Sequence, residues 1–253
     1  MTTASVPGGF GPDTGLRFPV TDFHVHLGEQ LSIEQAVALA AERGQRFGIV
    51  AQPGPDLATD EDLRAHVRHL RKYPVHVGLQ AMYIGWADSF SDQALAQLDY
   101  VLMDADTVPW NGDWLYIWRH DNFIEDMDAF LETYLDHITN ILTNEPIQIF
   151  ARPTYLPINF ARHYDEIWTP DRMSMIIDLA KARNIALEIA ENVRVPNLTF
   201  IEMAKSAGIK FTFGTNGRNR NAGNFHYCLQ MARAAGLTAD DMFTPARGTA
   251  HAG

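Results

Sequence analysis

The clearest chemical pattern in the chain is Asp22-Phe23-His24-Val25-His26. Histidines two residues apart share a face of an extended strand. On an inward face two imidazoles can hold one cation, and the same spacing puts Asp22 beside them to orient them or join in. The competing reading is a pair of polar residues that satisfy each other. Asp104 and Asp106 follow Leu102-Met103, again two apart. Either suits a metal ligand or general base. Asp104 comes first because it follows the apolar run directly, while Asp106 would otherwise cap a turn. Arg152 follows Ile149-Phe150-Ala151 and suits a carboxylate or phosphate, which a guanidinium grips through two donors. A neighbouring acid would occupy it equally well. Glu188 lies inside Leu187-Glu188-Ile189, where a buried carboxylate needs a metal, Arg152 or His24 as partner.

Amides stand at Gln52 and Gln80, at the ends of two further apolar runs. Amides are weak ligands for zinc and fit hydrogen bonds to a substrate, a turn or the core. The stretch 213–221 sets Asn216 between Gly214 and Gly217, followed by Arg218 and Arg220. It reads as an anion- or hydroxyl-binding loop, or as a plain turn with solvated arginines. The stretch 110–118 holds Trp110, Trp114, Tyr116 and Trp118, with the hairpin signal Asn111-Gly112. Its aromatic faces suit stacking on a sugar ring. Packing as a flap on the barrel or in a dimer contact weighs more, since large aromatics dominate such surfaces.

These residues are placed by an alternation of short apolar runs and amphipathic stretches. Strands are expected at 20–25, 47–51, 75–82, 100–103, 147–150, 185–189 and 210–213. Helices are expected at 32–43, 59–72, 92–98, 123–142, 169–183, 197–207 and 225–235. Ser32 with Gln35 forms a capping box, Thr59 precedes three carboxylates, and Thr169-Pro170 opens a helix. Strands separated by helices pair in parallel through right-handed crossovers. Seven such units predict one α/β barrel over residues 20–253, a (β/α)7 relative of the TIM barrel, behind a flexible arm at 1–19. In such barrels chemistry gathers at the C-terminal strand ends, where Arg152, Arg218 and Arg220 are expected to meet.

The chain has 253 residues, with 20 Lys and Arg against 31 Asp and Glu, a net charge of −11. That balance argues against nucleic acid and against an anionic membrane surface. One cysteine, Cys228, excludes an internal disulfide framework and a multi-cysteine metal site. Residues 1–19 lack the basic start and apolar stretch of a signal peptide. The expectation is a cytoplasmic protein with a small-molecule substrate; a homo-oligomer stays open.

The opening Asp-Phe-His-Val-His with its capped helix resembles the polymerase and histidinol phosphatase (PHP) family. Leu-Asp-Tyr-Val-Leu at 98–102, Ala-Leu-Glu-Ile at 186–189 and Phe-Gly-Thr-Asn-Gly-Arg at 213–218 extend the likeness. It runs from about residue 20 to 235. The resemblance implies a seven-stranded barrel, metal-dependent phosphoesterase activity and up to three metal ions. His24 and His26 match the first motif. Elsewhere the chain departs: Ala51-Gln52-Pro53 replaces Thr-Asp-His, Gln80 a glutamate, Asp106 a histidine, Arg152-Pro153 His-Pro, and Thr215-Asn216-Gly217-Arg218 Ser-Asp-Ala-His. What survives implies a single zinc or manganese ion on His24, His26 and a carboxylate, Asp104 or Glu188.

The expectation is therefore a metal-dependent, phosphoesterase-like hydrolase of a small anionic or polyhydroxyl substrate. The ion would lower the pKa of its water toward about 7. Asp104 or Glu188 would be the third ligand and the other the general base. Arg152 and Arg218 would hold an anionic group, and Gln80, Asn216 and Trp110 would complete the substrate contacts. The alternatives are a barrel that has lost metal catalysis and binds a small anionic or sugar-like ligand, and an amidohydrolase-type barrel, which also opens on two spaced histidines.

Overall fold

Seven short parallel strands close on themselves into a barrel, each paired with the next along the chain and the last with the first. The computed structural model describes residues 15–245. The barrel strands are β1 (Thr21–Val25), β2 (Arg46–Ala51), β3 (His76–Ala81), β4 (Tyr100–Met103), β7 (Ile149–Phe150), β8 (Ala186–Ala190) and β9 (Phe211–Gly214). A separate antiparallel hairpin, β5 (Thr107–Trp110) and β6 (Asp113–Tyr116), fills part of the long connection after β4. The helices are α1 (Ile33–Glu42), α2 (Asp60–Leu70), α3 (Asp92–Leu95), α4 (Met127–Asn144), α5 (Tyr164–Ile167), α6 (Pro170–Ala182), α7 (Leu198–Ser206) and α8 (Tyr227–Ala234). This is the expected (β/α)7 barrel. Of the expected arm, residues 1–14 lie outside the described residues. Among the described residues no helix is long and apolar enough to cross a membrane.

The helix starts follow their caps. Ser32 and Gln35 exchange side-chain and backbone bonds at α1, and Thr59 and Asp62 do so at α2. Thr169 caps α6 with Pro170 at its first turn. The longest helix, α4, begins at Met127 rather than at 123. Asp126, not an earlier residue, accepts from the Ala129 amide and so fixes the first turn. The hairpin turns through Asn111 and Gly112 at φ 52° and 82°. Positive φ at both central residues is what a two-residue hairpin of type I′ requires.

The barrel interior has two zones. Phe23, Val50, Tyr100, Leu102, Ile149, Ala151 and Ala186 form a buried apolar plug. Tyr100 lies across it and donates to the Phe23 carbonyl at 2.7 Å. Gly48 and Gly78 make its ring possible: a Cβ on them would come within 2.2 Å of its oxygen and 2.5 Å of its Cζ. Beyond the plug, toward the C-terminal strand ends, the inward positions turn polar at Gln80, Asp104 and Glu188, all buried.

β1 contains one irregularity that decides the site. Asp22 pairs with Phe47 and Val25 with Ile49, so three steps on β1 face two on β2. This is a β-bulge, one extra residue in one strand. Phe23 and His24 both turn inward as a result, one into the plug and one onto Glu188. Asp22 and His24 consequently do not share a face, although they stand two apart.

Candidate functional site

The C-terminal ends of β1, β3, β4, β7, β8 and β9 deliver one buried polar network. Nδ1 of His24 lies 2.8 Å from Oε1 of Glu188. The other Glu188 oxygen accepts from the backbone N–H of Arg152 at 3.2 Å. Arg152 leaves β7 at φ 50°, in the left-handed region that non-glycine residues seldom adopt. Its guanidinium donates to Oδ2 of Asp104 at 2.7 Å and meets Asp106 at 2.8 Å. The Asp106 contact is an ion pair without hydrogen-bond alignment, since neither carboxyl oxygen has a hydrogen-bond partner. Gln80 donates to the same Asp104 oxygen at 2.8 Å and accepts from Gln52 at 3.1 Å. His24 and His26 face each other with ring centres 5.5 Å apart.

Charge in this network is set by burial and by Arg152. Burial would raise the Asp104 carboxyl, but Arg152, Gln80 and the Asp106 amide outweigh it and hold it below its ordinary value. Asp106 is pushed well up, by burial first and then by Asp104 and Glu188, against the pull of Arg152. Arg152 is desolvated, yet the surrounding Asp106, Asp104 and Glu188 raise it further. His26 is driven down to about 2, by burial first and then by the charges of His24, Arg218 and Arg152. It is neutral at any working pH.

Gly214 is the room in which the histidine and glutamate meet. A Cβ there would stand 1.9 Å from Glu188 Oε1 and 2.9 Å from the His24 Cβ. The sequence shows this position as one of several glycines at inward strand positions, with Gly48 and Gly78. On β9 the inward period of two runs from Thr212, the partner of Glu188, to Gly214.

Asp22 departs from the expected role. Because of the bulge its carboxylate leaves the histidine rings and accepts from the backbone amides of His24, Thr215 and Gly223, at 3.1, 3.1 and 2.8 Å, and from the Thr215 hydroxyl. It ties β1 to the loop after β9. Burial raises it to about 6, against these four bonds. A folded pKa above the unfolded one gives stability that is full below about 4 and lost as pH rises through about 6. Asp22→Ala is expected to cost about 3 kcal/mol, because buried backbone donors lose their acceptor. The gap between wild type and variant should narrow from pH 4 to pH 7.5. Denaturant melts at the two pH values check this; a gap that widens with pH would reverse the assignment.

The other expected site residues fall in three places. Asn216 lies beside His26, within hydrogen-bonding reach of it, at φ 50° and with a buried, unpartnered Oδ1. Arg218 is exposed and near enough for its charge to act on His26. Trp110 sits on the hairpin, packed edge-on against Phe130 at 5.8 Å. Arg220 is also not at the mouth. It lies 3.6 Å from Glu42 at the end of α1, which leads into the opposite, N-terminal end of β2. The reason is that the loop after β9 runs down over the outside of β1, where Asp22 and Arg43 hold it at Gly223 and Ala222.

Nε2 of His24 and Nε2 of His26 are buried and have no hydrogen-bond partner. They are two free donors for a metal. No group of three or more His, Cys, Asp or Glu side chains among the described residues is arranged to hold one. Glu188 is spent on Nδ1 of His24, Asp104 on Arg152 and Gln80, and the space between Asp104 and Asp106 holds a guanidinium. Catalytic zinc takes three protein ligands. The donor set is therefore incomplete for a resident zinc or manganese ion. The cluster is also covered: His24 is 0% and His26 2% exposed. A cavity of about 520 Å3 lies nearby, lined by Asn216 and Arg218 but by neither histidine.

No protein-family model matches this chain, and no curated protein does. Among solved structures, a chain of an archaeal ribonuclease P with mature tRNA is similar over 85% of this chain and 87% of its own, at 12% identity and a TM-score of 0.39. An HpcH/HpaI aldolase from Desulfitobacterium hafniense DCB-2 is similar over 85% of this chain and 91% of its own, at 10% identity and a TM-score of 0.37.

Proposed function

We propose that this barrel is a hydrolase of a small anionic substrate that works by proton transfer at His24, with Glu188 behind it, rather than through a resident metal. The observation that carries this is the state of one imidazole. Nδ1 of His24 is fixed on Glu188, and Nε2 is buried with no partner. With Glu188 as acceptor the proton sits on Nδ1 and the lone pair on Nε2. Nε2 then takes a proton from a water as its oxygen attacks the phosphoryl or acyl centre, Glu188 stabilises the imidazolium that forms, and the imidazolium returns the proton to the leaving oxygen as the ester bond breaks. Arg218 and Asn216 receive the anionic group near His26. Arg152 with Asp104 and Asp106 is the scaffold that fixes Glu188 through the Arg152 amide. His24 is fully buried, so substrate reaches Nε2 only after side chains around it move.

The two free Nε2 atoms favour a second reading, hydrolysis assisted by one zinc or manganese ion on His24 and His26. A carboxylate behind a ligating histidine, as Glu188 stands behind His24, is common at such centres. Turnover of small phosphate monoesters, starting with p-nitrophenyl phosphate, separates the two. The acid–base reading expects turnover unchanged by a chelator. Loss on chelation and recovery with zinc or manganese would replace it with the metal reading. Turnover that survives His24→Ala would remove both.

A further inference from the structure

The loops after β8 and β9 line an open cleft of about 520 Å3 with an unusual wall: Asn192, Asn216, Asn219, Asn221 and Asn224, with Arg218. The volume is in the range of small-molecule sites. The chemistry of the wall is more selective than its size. Each amide offers donors and an acceptor, the complement of a hydroxyl group, which also does both. Within the described residues no hydrogen bond engages the side-chain amides of Asn192, Asn221 or Asn224, while the Asn219 oxygen accepts from the Asn221 N–H at 2.8 Å. The one carboxylate in the wall, Glu191, is already committed to the Tyr227 and Cys228 amides at 3.1 and 3.0 Å. Arg218 makes no salt bridge among the described residues, so its charge is available. Asn216 joins this cavity to the buried cluster, because it reaches His26 and keeps a buried oxygen without a partner. Its left-handed backbone, φ 50°, is the kind of strain that persists where a side chain must be held in place.

We infer that this cavity is the substrate subsite, and that it takes a hydroxylated carbon chain carrying one anionic group: a sugar phosphate or a sugar acid. The anionic group lies at Arg218 and Asn216, the end toward His26, and the hydroxyls lie on the other asparagines. Any cleavage at that end by His24 rests on the acid–base reading above; the binding does not.

Calorimetric titration of the full chain tests it with four probes: glucose 6-phosphate, glucuronate, sorbitol and inorganic phosphate. At least one of the two sugar anions is expected to bind tenfold or more tighter than both sorbitol and phosphate, and which one does so distinguishes phosphate from carboxylate. Asn192→Ala and Asn224→Ala should each weaken that binding about tenfold with unchanged circular dichroism. Arg218→Gln should bring the sugar anion down to the level of sorbitol. Inorganic phosphate binding as tightly as the sugar anions, or sugar-anion binding indifferent to the asparagine variants, would overturn the inference. His24→Ala separates the two claims. Binding retained in that variant, with no turnover in wild type, keeps the subsite and removes the acid–base reading. Turnover of p-nitrophenyl phosphate that needs His24, with no binding of either sugar anion, does the reverse.

Discussion

Arg152→Met is expected to destabilise the fold by about 4 kcal/mol, the largest effect of any single substitution in the network. Removing one partner of a buried ion pair leaves the other charge desolvated, at about 3–5 kcal/mol. Here one guanidinium, 7% exposed, serves two carboxylates that are 0% and 1% exposed. For a chain of this size such a loss lowers the melting temperature by roughly 10 °C. Without Arg152, burial and mutual repulsion raise both Asp104 and Asp106 in the folded state. A raised folded pKa gives stability below the unfolded pKa that is lost as pH rises. The variant should therefore be relatively more stable at pH 5 than at pH 7.5, compared with wild type. Adding Asp104→Asn and Asp106→Asn should recover part of the loss and flatten that pH dependence. Thermal melts of the three proteins at both pH values measure this. A single variant within 1 kcal/mol of wild type would mean that the carboxylates do not depend on Arg152.

His24→Ala is expected to lower kcat by about 10²- to 10⁴-fold, the usual contribution of a positioned acid–base group. KM should change little, since the anion is held at Arg218 and Asn216. Glu188→Gln should lower kcat by about 10²-fold or more, because an amide neither fixes the imidazole tautomer nor balances its charge. Gly214→Ala gives the same loss by a different route. Its Cβ would stand 1.9 Å from Glu188 Oε1, so the carboxylate must move off His24. Steady-state kinetics on one phosphate monoester compares all three. If Gly214→Ala kept full activity, Glu188 would have no positioning role.

What the sequence made legible was set by alternation. Glu188 in an apolar run had to find a partner, and it found His24, one of the partners expected. Arg152 and the Asp104–Asp106 pair stand at strand ends, and the spacing of two brings both acids to one guanidinium. Asn111-Gly112 specified the hairpin because only residues tolerant of positive φ fit its turn. The failures lie where alternation breaks. Asp22 was expected beside the imidazoles, but the bulge adds a residue to β1 and inverts its face. A bulge depends on how β1 registers against β2, which local sequence does not encode. Arg220 was expected at the mouth, but the loop after β9 descends along the barrel wall to Glu42. Trp110, offered as a substrate contact, follows the weightier reading of its stretch and packs on Phe130 of α4.

The most direct test of the central claim is nitrogen-15 NMR of histidine-labelled protein, with and without equimolar zinc. His24 is expected to carry its proton on Nδ1 and a lone pair on Nε2, and neither His24 nor His26 should respond to zinc or to a chelator. Zinc-induced shifts at Nε2 of both rings, reversed by a chelator, would contradict it and make the pair a metal centre.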